Sequence, residues 1–177
     1  MRNLTVVTKP KALTLYHGTT KEAAERIKSK GLRAVKEKNY NDLYYFDANR
    51  TNSVYLVDNL AEALSWAMLG YYSKVSTEGK YTDSRFRKAI RLCALATYAV
   101  VEFQVPASGV LKDERVPDSE GTVRTKPLPK TSIKNVTYYS WPEANKVLKK
   151  AGYKRDKNSR WPAGMIDDEY NFLKSKK

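Results

Sequence analysis

The 177-residue chain holds a single cysteine and a single histidine. One cysteine, Cys93, excludes an internal disulfide framework and a cysteine-rich zinc site. It lies in an apolar run, which points to a buried filler rather than a nucleophile. One histidine, His17, excludes a histidine-based metal cluster and any chemistry that needs two imidazoles, so no metal is expected. Glycine (8) and proline (7) are also scarce. No Walker pattern and no G-x-G-x-x-G appears, which removes the usual glycine-rich phosphate loops. No G-x-S-x-G nucleophile elbow appears either, although composition alone does not exclude Ser–His–Asp catalysis. Apolar runs such as Ala94–Ala99 with Val100-Val101 fall far short of the ~20 residues that span a bilayer. No apolar signal core precedes the first charges. The expectation is a cytoplasmic protein with no membrane partner.

Acidic groups are the last shortage: 19 Asp and Glu face 33 Lys and Arg, for a formal charge of +14. Residues 1–40 carry ten basic and three acidic side chains, while 74–91, 122–140 and 141–177 are also net positive. Residues 41–73 and 92–121 are each net −3. The excess is thus spread through the chain, and a fold that gathers the basic blocks presents a positive surface. Nucleic acid is the first partner this suggests and an acidic protein the second; solubility alone is the bland reading. Thirteen tyrosines and 41% hydrophobic residues are too many for a disordered chain. The length suits one domain, since domains run to roughly 100–200 residues.

Leu13–Tyr16 reads as a strand, Thr20 as the N-cap of a helix over 21–30, and Gly31 as its stop. Residues 34–52 read as a loop and 53–57 as a second strand. Asp58 or Asn59 can then cap a helix over about 61–73. A connection over 74–84 leads to a helix over 85–92. Thr97–Val105 alternates, with Tyr98, Val100, Glu102 and Gln104 on one face and Ala99, Val101, Phe103 and Val105 on the other. Short strands are expected at 110–111 and 122–124, a rigid link at 127–129 and a strand over 133–139. A helix begins at Pro142 and stops at Gly152, and a last one covers 167–174. Strands concentrated after residue 97 favour α+β over a parallel α/β sheet.

Three blocks carry a resemblance. Leu15-Tyr16-His17-Gly18-Thr19-Thr20, followed by Ala24, Ile27 and Gly31-Leu32, resembles the first strand and helix of ADP-ribosyltransferases of the diphtheria-toxin/PARP (H-Y-E) type. Val54-Tyr55-Leu56-Val57-Asp58, then Ala61, Ala63 and Trp66-Ala67, is similar to that family's second element, with Tyr55 and Trp66 eleven positions apart. Ser119-Glu120, Pro127-Leu128-Pro129, Ile133 and Val136 are similar to its glutamate block and closing strand. The resemblance implies one catalytic domain over 1–177, with a core at about 13–139, split mixed or antiparallel sheets flanked by short helices, and a basic extension over 141–177.

It also implies NAD+ as substrate. His17 would bond a ribose hydroxyl, and the Gly18 backbone would pair with the nicotinamide carboxamide, beside Thr19. A glycine suits that place because a side chain would block close backbone approach. Tyr55 and Trp66 would stack on the nicotinamide, with Trp66 standing where the family often has tyrosine. Glu120 would be the catalytic carboxylate, with His17 and Tyr55 completing the triad; Glu102 and Glu114 are the runners-up. A fixed carboxylate answers the positive charge that develops on the ribose as nicotinamide leaves.

The acceptor expected from the charge is nucleic acid, RNA ahead of DNA. Arg85, Arg87, Lys88 and Arg91 form one candidate phosphate-contacting stripe, and Lys154, Arg155, Lys157 and Arg160 beside Trp161 another. The expected function is mono-ADP-ribosyl transfer by a toxin or phage-type effector, with which a neutralising antitoxin-type partner is compatible. The alternatives are a protein acceptor, a 2′-phosphotransferase-like activity and a non-catalytic RNA-binding module. Asp118-Ser119-Glu120 departs from the Glu-x-Glu of arginine-directed enzymes. The phosphotransferase reading needs an N-terminal winged-helix-like domain and several histidines, and only sixteen residues precede His17.

Overall fold

The computed structural model describes residues 12–34, 54–76, 83–112 and 123–153. Within them the chain is α+β. β1 (Ala12–Thr20) runs straight into α1 (Lys21–Lys30), which Thr20 caps by accepting from the Ala23 N–H. Gly31, at φ +77°, ends that helix. β2 (Val54–Leu56) precedes α2 (Leu60–Ser76) and α3 (Asp83–Leu95). β3 (Tyr98–Pro106), the short β4 (Leu111–Lys112) and β5 (Val123–Thr125), and β6 (Ile133–Tyr139) follow. α4 (Trp141–Lys150) starts in a Ser140–Glu143 capping box with a proline in its first turn. It ends at Gly152 (φ +86°), where Tyr153 N–H reaches Leu148 C=O and Gly152 N–H reaches Lys149 C=O. That pair of bonds is a Schellman stop.

The strands form two three-stranded antiparallel sheets, β1–β3–β6 and β2–β5–β4. Alternation along β3 puts apolar groups on both faces of the first sheet. Tyr98 and Val100 join Ala63, Leu64 and Met68 of α2, Ile90 and Cys93 of α3, and Trp141 and Leu148 of α4. Ala99, Val101, Phe103 and Val105 join Leu15, Ala24, Ile27, Val54 and Leu56 on the other side. The two faces of β3 read from sequence are therefore the two cores of the molecule. Tyr98 anchors the first: its hydroxyl donates to Cys93 C=O at 2.8 Å, and its ring packs against Tyr71 and Trp141.

Three elements exceed their sequence-based bounds. β1 continues through His17–Thr20, because its whole length pairs with β3. α2 continues to Ser76, since Tyr71, Tyr72 and Val75 still find the first core to pack against. α3 runs from Asp83 to Leu95, so residues 74–76 and 83–84 are helical rather than connecting. The loop read at 34–52 and the helix read at 167–174 lie, but for Ala34, outside the described residues. No helix among the described residues is long and apolar enough to cross a membrane.

Candidate functional site

The two sheets meet at one backbone bridge. Tyr16 N–H donates to Val57 C=O at 2.8 Å, and Val57 N–H donates to Tyr16 C=O at 2.9 Å. Backbone polar groups of alternate strand residues point to opposite edges. Gly18 therefore turns its N–H and C=O to the same outer edge as Tyr16, away from β3. Continuing the antiparallel run from Tyr16–Val57 would set Gly18 against Tyr55. Among the described residues no backbone bond continues it. The Tyr55 carbonyl is taken by the His17 ring instead, through Nδ1 at 3.1 Å.

That contact decides the tautomer. A carbonyl can only accept, so Nδ1 carries the proton and Nε2 is left as an acceptor. Burial of the ring lowers the His17 pKa below the ordinary 6.5, partly offset by the Tyr55 carbonyl. The imidazole is thus neutral at pH 7, and it is fixed across the seam between the sheets.

Gly18 has a structural duty that sequence reasoning assigned elsewhere. A Cβ built on it would lie 1.6 Å from the Ala63 carbonyl oxygen of α2. The missing side chain lets α2 lie directly on β1, whatever approaches the outer edge of the strand. Thr19, next along β1, is half-buried and pairs with Ala99 of β3.

α2 supplies the next side chains. Asn59 caps it, accepting from the Glu62 N–H at 2.8 Å while its amide donates to Glu62 Oε2 at 3.2 Å. The other Glu62 oxygen accepts from Trp66 Nε1 at 3.5 Å. Trp66 is half-buried against the first core, one turn beyond the Gly18 contact at Ala63. Tyr153, following α4, lies beside Ser65 and Glu62 on the same stretch of α2. The Tyr55 side chain is 38% exposed, because Val54 and Leu56 on either side turn into the second core. The structure thus brings His17, Gly18, the Tyr55 backbone and the Ala63–Trp66 turn to one junction. Asn59 is one of the two caps that the sequence offered for this helix, whereas Glu62 and Tyr153 were not singled out from sequence. For Glu62 the signal was there, an Asn-x-x-Glu start ahead of an apolar run.

No protein-family model and no curated protein matches this chain.

Glu120 and Glu114 lie outside the described residues, as do Lys154, Arg155, Lys157, Arg160 and Trp161 and the side chain of Arg85. Glu102 is half-buried on β3, between Tyr16 and Asn135, at a register shift in the β3–β6 pairing. Arg87, Lys88 and Arg91 are exposed on the outer face of α3, so that part of the stripe does present its charge. Leu92 and Leu95 share this face, 36% and 83% exposed, and were not singled out from sequence. Cys93 is fully buried, and burial pushes its thiol up to about 11. It is a core residue, as its apolar surroundings in the sequence indicated. Among the described residues no group of three metal-ligating side chains occurs.

Proposed function

We propose that the chain is an NAD+-dependent mono-ADP-ribosyltransferase with an ADP-ribosyltransferase-like fold, acting on nucleic acid, most readily RNA. The observation that carries this reading is the seam at β1. A neutral imidazole presents Nε2 as an acceptor, and one residue on, Gly18 presents a backbone donor and acceptor at an open strand edge. A ribose hydroxyl suits the first, and a carboxamide, which both donates and accepts, suits the second. The Ala63–Trp66 turn, pressed against Gly18, puts an indole within the same region for stacking on nicotinamide. Tyr55 enters the seam from β2. Two antiparallel sheets joined at this point agree with the split sheets that the family resemblance implies.

In this mechanism the chain's own groups hold and orient. His17 fixes the nicotinamide ribose and Gly18 fixes the amide plane. Tyr55 and Trp66 keep the ring aligned for departure, and Glu120 stabilises the oxocarbenium-like ribose. The C–N glycosidic bond breaks, nicotinamide leaves with the bonding pair, and an acceptor oxygen or nitrogen attacks the ribose carbon and loses a proton. NAD+ is consumed as substrate, with no metal called for.

Incubation with labelled NAD+ and separate RNA, DNA and protein pools tests the reading. Label in RNA with nicotinamide release is expected. Label in protein only would move the acceptor, and neither label nor nicotinamide would reduce the chain to a binding module. Glu120→Gln is expected to lower transfer by a factor on the order of 10²–10³ with nucleic-acid binding retained. One observation favours a second role for part of the surface. The α3 face joins Arg87, Lys88 and Arg91 to exposed Leu92 and Leu95, a mixture that suits an acidic protein with apolar anchors, such as a neutralising partner, better than a phosphate chain.

A further inference from the structure

The fold gathers a second basic surface from two segments far apart in sequence. Leu32 and Leu128 form an isolated backbone bridge, with both N–H···O=C bonds at 2.8 Å. Lys30 stands two residues before Leu32 and Arg33 one after; Lys126 and Lys130 flank Leu128 by two on either side. The bridge is antiparallel, so Lys30 and Lys130 lie across from each other. The close packing of Gly31 against Leu128 C=O, Pro129 and Lys130 N confirms this placement. Lys30, Arg33, Lys126 and Lys130 are all exposed. Among the described residues none of these four stands in an ion pair, and the stretches 26–34 and 126–134 contain no acidic residue at all.

Like charges placed opposite one another destabilise a strand pair. Arg33 Nε donates to Lys30 C=O at 3.4 Å, so the terminal carbonyls of α1 draw in part of this charge. Nothing comparable accounts for Lys126 and Lys130. Backbone bonds therefore hold four cations together, and among the described residues no carboxylate pairs with them. The patch also lacks the apolar centre of a protein interface. Among the described residues the exposed large hydrophobic ones are Tyr55, Leu92, Leu95, Leu111 and Tyr153, and none belongs to either segment. Charge without apolar anchors is what a phosphate backbone requires.

We infer that the C-terminal end of α1 and the 126–130 connection together form a docking cradle for the phosphate backbone of a single-stranded nucleic acid, with Lys30, Arg33, Lys126 and Lys130 as its cations. This rests on the nucleic-acid acceptor proposed above and gives it a place that the sequence stripes do not.

The test is fluorescence anisotropy of a labelled single-stranded RNA, without NAD+, between about 50 and 200 mM salt. The proteins are the native chain, the quadruple alanine variant at 30, 33, 126 and 130, the pair Lys30→Ala/Lys130→Ala, and a control triple at 87, 88 and 91. The quadruple variant is expected to bind at least about tenfold more weakly. Its log–log salt slope should be shallower by roughly 2–3, since each single-strand phosphate contributes ~0.7. The pair should lose about half of that slope, and it serves if the quadruple variant unfolds. Unchanged affinity and slope in both variants, with loss in the control triple, would overturn the cradle. So would a polyglutamate peptide that binds these same residues more tightly than RNA. Because NAD+ is absent, the outcomes separate: RNA binding through the cradle by a chain that never releases nicotinamide sinks the transferase alone. Transfer to RNA that ignores all four cations sinks the cradle alone.

Discussion

Gly18 and His17 are neighbours with opposite sensitivities, and each gives a measurement. In Gly18→Ala the new methyl meets a backbone oxygen of α2, which cannot rotate away as a flexible side chain could. Either α2 or β1 must move. Overpacking of this kind costs about 1–3 kcal/mol, which for a chain of this size lowers the melting temperature by roughly 2–4 °C per kcal/mol; calorimetry reads it directly. His17 responds to pH instead. Its folded pKa lies below 6.5 because burial disfavours the charged ring, so the unfolded chain binds more protons in the window just under 6.5. Stability contributed by neutral His17 is complete above that value and falls as pH drops through the window. The NAD+ affinity proposed above should follow the same direction, flat above pH 7 and falling in acid as Nε2 becomes a donor. His17→Asn should flatten this acid limb in a binding titration. Cys93, with its thiol at about 11, should resist thiol reagents until the chain is unfolded.

At the level of elements, α2 links the site to ordinary helix chemistry. Asn59→Ala removes the acceptor for Glu62 N–H and the donor to its carboxylate. Loss of a cap of this type costs about 1 kcal/mol, measurable as a shift in denaturant midpoint with little change in slope. It also removes one of the partners that hold the carboxylate facing Trp66, so the NAD+ binding proposed above should weaken along with stability. α1, β6 and α4 were legible in sequence nearly residue for residue. Each has a cap, a stop or a clean period: Thr20 and Gly31, the stretch Ile133–Tyr139, Ser140 and Gly152. α3 was cut short because Leu92 and Leu95 face outward, and apolar residues on the solvent side blur a helical pattern. Of the site, His17, Gly18, Tyr55 and Trp66 were legible as a string of residue types. The contact that sets the tautomer of His17 was not, since it depends on a strand 38 residues away. The Leu32–Leu128 bridge was equally invisible, because a single backbone pair leaves no periodicity to read.

Over the whole molecule, charge and core are organised separately. The central strand β3 is buried on both faces and carries only Glu102 as a charged residue, and the exposed basic residues ride mainly on helix surfaces, links and the outer strand β6. Raising salt should therefore weaken polyanion binding steeply while leaving thermal stability nearly unchanged, since screening acts on exposed charge. Parallel anisotropy and melting experiments check both halves. The central place of β3 also bears on synthesis. It sits between β1 and β6, and Thr14 and Gln104, which pair across β1 and β3, stand 90 residues apart in the chain. Contacts of such long range form late. β1, made first, has no sheet to join until β3 follows it, so His17 and Gly18 leave the ribosome long before they can be arranged to hold a ligand. The arrangement at the seam is therefore complete only once β3 has been made, and a chain interrupted before β3 would leave β1 without its sheet.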